Sequence, residues 1–134
     1  MKLRLTPNSV RIRLNQSEVA KFTNAGELSE RVEFPGPTPT AFVYTLRFSS
    51  GPETGAAHFR DGEMALTVPQ EEANLWANAA NQVGLYYTQG SHGGQSLRIS
   101  IEKDFQCVDG PPEERNPAAY PNPMVNAGCK TDSK

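Results

Sequence analysis

Cysteine is scarce in this chain, and the two present, Cys107 and Cys129, both fall in its last quarter with no close spacing. That is too few for the disulfide framework of a small secreted domain. No apolar run approaches the roughly 18 residues of a membrane-spanning helix. The opening Met1-Lys2-Leu3-Arg4-Leu5-Thr6-Pro7 alternates instead of leading into a signal-peptide core. These absences point to a cytoplasmic protein with free thiols and no membrane contact. An excess of one charge is also lacking: 13 Lys and Arg against 15 Asp and Glu leave a net charge of −2, so the whole-molecule field offers nucleic acid no attraction. His58, His92, Cys107 and Cys129 show no C-x2-C or H-x3-H spacing, so no metal or other cofactor is expected. The Gly90 to Gly94 run lacks the lysine and following helix of a phosphate loop, and no G-x-S-x-G nucleophile turn occurs.

What is present suits one domain: 134 residues can bury an ordinary hydrophobic core without staples. Gly 11 and Pro 11 exceed the usual share and favour turns over long helices. Leu3, Leu5, Val10, Ile12 and Leu14 alternate with Lys2, Arg4, Arg11 and Arg13, a period of two that means strands. Pro7-Asn8 supplies a turn, so residues 2 to 14 are predicted as a hairpin pairing Leu5 with Val10 and Leu3 with Ile12. Asn15 with Glu18 three residues later starts a short helix that Gly26 stops, with Val19 and Phe22 inward and Glu18 and Lys21 outward.

Leu28 to Phe34 and Ala41 to Phe48 alternate on either side of Pro35-Gly36-Pro37-Thr38-Pro39 and read as a second hairpin. Residues 57–60 and 63–68 flank Asp61-Gly62, the pair preferred by a two-residue turn with positive φ at both positions; this opposes Arg60 with Glu63 and Phe59 with Met64. Pro69 opens a helix from Gln70 to about Ala79 anchored by Trp76, and Val83 to Gln89 with Gln95 to Phe105 forms a last hairpin. Tyr86 and Tyr87 are read as core or rim aromatics. The order is ββαββ twice. At an offset of 54, Gln16, Glu18, Asn24 and Ala25 match Gln70, Glu72, Asn78 and Ala79, and Phe22 falls on Trp76, which raises an internal duplication of about 1–50 and 55–106. The expected fold is α+β: a mainly antiparallel sheet or a closed barrel built from two ββαββ units over residues 1–106. An extended Pro-rich tail over 107–134, held by Tyr120 and Met124, follows.

Three strings carry a resemblance over nearly the whole chain to residue 123. They are Asn8-Ser9-Val10-Arg11-Ile12-Arg13-Leu14 with Ser17-Glu18-Val19, then Glu102-Lys103-Asp104-Phe105-Gln106-Cys107, then Tyr120-Pro121-Asn122-Pro123. Together they resemble a family of small bacterial proteins of unknown function. The resemblance implies a self-contained domain and carries over no catalytic residue.

The chemistry that the residues suggest begins with the basic hairpin. Its register sets Lys2 opposite Arg13 and Arg4 opposite Arg11, like charges that need an offset. One reading is a solvated face balanced by Glu30, Glu33 or Glu102. The sharper one is an anion site in which Lys2, Arg4, Arg11, Arg13, Arg47 and Arg98 converge on a phosphate-type ligand or an acidic protein surface. A second class is a thiol-dependent enzyme or redox protein using Cys107, with Lys103 near in sequence. A third is an interaction module that pairs through an exposed strand edge, as a homodimer.

Overall fold

The computed structural model describes residues 1–50, 54–90, 94–105 and 120. The opening alternation folds into the hairpin β1 (Lys2–Thr6) and β2 (Ser9–Leu14), with Leu3 opposite Ile12 and Leu5 opposite Val10. Helix α1 (Gln16–Ala25) follows from a complete capping box: the Asn15 side chain accepts from the Glu18 amide at 2.9 Å while the Glu18 carboxylate accepts from the Asn15 amide at 2.9 Å. Gly26, at φ 79°, adopts the left-handed conformation that ends it. The second hairpin is β3 (Glu27–Phe34) and β4 (Thr40–Phe48); the third is β5 (Ala56–Arg60) and β6 (Glu63–Val68). Asp61 and Gly62 connect the latter with φ of 52° and 80°, as the two-residue turn requires. Helix α2 (Gln70–Asn78) starts after Pro69, and β7 (Gly84–Gly90) pairs with β8 (Ser96–Lys103).

The class is α+β, but the hairpins assemble differently from expectation. Neither one shared sheet nor a closed barrel forms. The described strands make two four-stranded sheets, ordered β1-β2-β8-β7 and β3-β4-β6-β5. Each is mixed, because β2 lies parallel to β8 and β4 parallel to β6. Each ββαββ stretch therefore gives one hairpin to each sheet. The helices explain the switch. Each carries an apolar stripe, Val19 and Phe22 on α1 and Ala73 and Trp76 on α2, that has to be covered. Packing the helix against one end of the layers delivers the next hairpin to the opposite sheet.

One core joins the layers. Val10, Ile12, Leu14, Ile99 and Ile101 from the first sheet meet Tyr44, Leu46, Met64, Leu66 and Val68 from the second, and Phe22 and Trp76 close the helical end. Phe22 meets Phe48 with ring centroids 4.9 Å apart. Along one flank Gln89 of β7 imitates a strand: its side chain accepts from the Ala57 amide at 2.6 Å and donates to the Ala57 carbonyl at 3.0 Å. That side-chain ladder ties β7 to β5 where no backbone ladder exists. Along the other flank the chain terminus is tied down. The Met1 α-amino group contacts the carboxylates of Glu18 and Glu30, and the Tyr44 hydroxyl donates to the Met1 carbonyl at 3.0 Å. Glu18 thus turns toward Met1 and not outward, as the helix pattern alone suggests, while Lys21 is exposed. Of the tail anchors, Tyr120 donates its amide to the Asp104 carbonyl at 2.7 Å and sets its ring edge-on to Phe105; Met124 lies outside the described residues.

Candidate functional site

The outer face of the first sheet is polar throughout. Side chains alternate along strands, so the registers place Lys2, Arg13, Glu102 and Gly84 in one row across β1, β2, β8 and β7. Arg4, Arg11, Ser100 and Tyr86 form the next, and Thr6, Ser9, Arg98 and Thr88 the third. Arg4 stands opposite Arg11 as the hairpin register requires, and the parallel β2–β8 junction adds Arg98 beside Ser9. Arg4, Thr6, Ser9, Arg11, Tyr86, Arg98 and Ser100 line a depression of about 370 Å³, a volume within the small-ligand range.

The charges sort along the face. At the helical end the cations are matched: Lys2 lies 2.9 Å from Asp104, and Glu102 lies 3.5 Å from Arg13 and 3.8 Å from Arg11. Glu102 is the counterion that the basic hairpin needed, whereas Glu30 faces the Met1 amine and Glu33 pairs with Arg31. Toward the turns the balance fails. Among the described residues neither Arg4 nor Arg98 has a carboxylate partner, and Arg11 shares its only one with Arg13. Arg47 does not join them; it belongs to the other sheet, where it pairs with Glu27 at 3.5 Å and Glu63 at 3.3 Å.

Tyr86 supplies the wall of the depression. Its hydroxyl donates to Glu102 at 2.8 Å, and burial together with that acceptor pushes its pKa up to about 12. The ring reaches there by passing over Gly84: a Cβ at that position would come within 2.8 Å of both the Tyr86 hydroxyl and the Ile101 carbonyl. Gly84→Ala is therefore expected to lower stability by about 1–3 kcal/mol and to free Tyr86 from Glu102. Urea unfolding checks the first effect. Absorbance-detected titration checks the second, as a tyrosine that ionises at lower pH than in the native chain and that is absent when Tyr86 is also replaced by Phe.

Sequence reasoning missed Tyr86, Thr6, Ser9 and Ser100. The available signals were the alternation of Arg98, Ser100 and Glu102 and the glycine at 84, a residue type that in a strand often marks a close approach. They become a site only once β8 is known to lie against β2. The other candidates stand apart. Cys107, Cys129 and His92 lie outside the described residues, and no group of three or more His, Cys, Asp or Glu among the described residues is arranged to hold a metal. Among the described residues no helix is long and apolar enough to cross a membrane.

One further titratable group is buried away from this face. Lys103 points inward from β8, donates from Nζ to the Ala79 carbonyl at 2.6 Å, and stands 5.9 Å from the centroid of the Trp76 ring and 5.3 Å from that of Tyr120. Burial lowers its pKa.

A family model described as "Family of unknown function (DUF7009)" matches residues 1–124. No curated protein and no solved structure matches the chain.

Proposed function

Since the chain belongs to this family of unknown function, its role has to be argued from its own residues, and we propose that it binds a small phosphate-type anion on the outer face of the first sheet. One observation carries the reading: Arg4, Arg11 and Arg98 share a depression in which Arg4 and Arg98 have no carboxylate among the described residues. Like charges opposite each other on a sheet are unfavourable. A bound anion relieves that cost, and guanidinium groups form paired hydrogen bonds to phosphate oxygens. The Ser100 hydroxyl adds a donor beside them. Lys2 and Arg13, already matched by Asp104 and Glu102, shape the field and do not hold the ligand. Arg47 drops out of the binding set.

Thermal melting with orthophosphate, tripolyphosphate and mononucleotides, at fixed moderate ionic strength, tests this. Ligand at one hundred times its dissociation constant adds about 2.7 kcal/mol, a shift of several degrees for a chain of this length. The shift is expected to vanish in Arg4→Glu and Arg98→Glu and to survive in Arg47→Gln. A flat screen across all three anions refutes the proposal.

A further inference from the structure

From a strand edge unpaired among the described residues, whose exposed half is complementary in charge to itself, we propose that the protein pairs with a second copy of itself through β3, with Val32 facing its symmetry mate. Two sheets leave four edge strands. The edges of β5 and β7 face each other and are tied by Gln89 to Ala57. β1 is only five residues long and carries Lys2 and Arg4, so two copies joined there bring like charges together. β3 runs for eight residues, and none of its backbone groups from Leu28 to Phe34 bonds to anything described beyond its partner β4. A long edge of this kind is a template for another strand.

The half of β3 farthest from α1 reads Arg31-Val32-Glu33-Phe34. Arg31 and Glu33 share the outer face and already attract each other along the strand. Val32 and Phe34 point to the inner face yet remain 43% and 53% exposed. A twofold axis perpendicular to the sheet keeps like faces together, so opposed residues obey one of a few registers. Centring on Arg31 or on Glu33 sets like charges opposite one another. Centring on Val32 sets each Arg31 opposite the other copy's Glu33, so that four charges alternate in sign. On the inner face, Val32 then meets Val32, Phe34 stands opposite Glu30, and Phe34 also lies diagonal to the opposite Val32 at a distance that an aromatic side chain spans. Among these three centres the charges select Val32.

Sedimentation equilibrium of the full chain from micromolar to near-millimolar concentration is expected to show a monomer–dimer equilibrium. Arg31→Glu and Glu33→Arg, each placing like charges in opposition, should each weaken the dimer at least about tenfold. The double variant Arg31→Glu/Glu33→Arg should restore it. Val32→Cys should cross-link to itself under mild oxidation, since directly opposed strand residues fall within disulfide reach. A monomer over the whole range, or a dimer weakened by neither single reversal, overturns the proposal. These exposed positions leave the core untouched, and the double variant distinguishes a lost interface from a lost fold.

Discussion

Trp76→Ala is expected to cost about 3–5 kcal/mol, a large share of the 5–15 kcal/mol that typically separates folded from unfolded chains. Trp76 is wholly buried at the end of the layers, and its indole N–H donates to the Val83 carbonyl at 3.1 Å. Its ring also lies beside the Lys103 ammonium. Truncation opens a cavity, leaves the Val83 carbonyl without that donor, and removes an aromatic face from a buried cation. Urea unfolding measures the loss. Trp76→Phe separates the terms, because it keeps most of the volume while losing the hydrogen bond, and a cost near 1–2 kcal/mol is expected. A Trp76→Ala cost below that of Trp76→Phe contradicts the packing argument.

The second large effect concerns Glu18. This carboxylate completes the cap of α1 and also contacts the Met1 α-amino group. Loss of a cap costs about 1 kcal/mol, and leaving a half-buried ammonium with one carboxylate fewer adds to it, so Glu18→Ala is expected to cost about 2–3 kcal/mol. The pH dependence gives an independent check. Burial opposes the charge on the Met1 amine, yet hydrogen bonds and attraction from Glu18 and Glu30 outweigh it and raise the pKa above its ordinary 8.0. A raised amine favours the folded state fully below 8.0 and loses that contribution as pH climbs through the folded value. Stability of the native chain should therefore fall as pH rises above 8.0, and the fall should shrink in Glu18→Gln. Acetylation of the α-amino group should abolish that part of the slope while lowering stability at neutral pH.

Much of this architecture is legible locally. The hairpin registers follow from alternation between Leu3 and Ile12, the cap of α1 from Asn15 and Glu18, and the tight turn from Asp61-Gly62. All of these depend on residues a few positions apart. What the pattern does not contain is the identity of a strand's second neighbour. Val10 and Ile99 are equally apolar whether or not they are adjacent, so the β2–β8 junction and the separation of Arg47 from Arg98 come from the packing of layers. The same limit explains Glu18. Helical spacing turns it toward solvent, and only the arrival of Met1 against Glu18 and Glu30 draws it inward. The candidate site spans the four strands of two hairpins and the β2–β8 junction between them, so its basic residues were visible singly and its shape was not.

The nested order of pairing also constrains how the chain acquires its shape. The sheet of β3 to β6 draws on the middle of the sequence alone, whereas the other joins the first hairpin to the last, with Val10 beside Ile99. Closing so long a loop is slow relative to forming local contacts. During synthesis the middle sheet can assemble while β1 and β2 wait with one edge of the Arg4 hairpin open, and the arginine depression comes into being only in the last step, when β8 docks. The proposed anion site is thus complete only when the whole sheet is, and a ligand bridging β1, β2 and β8 would favour the step that closes it.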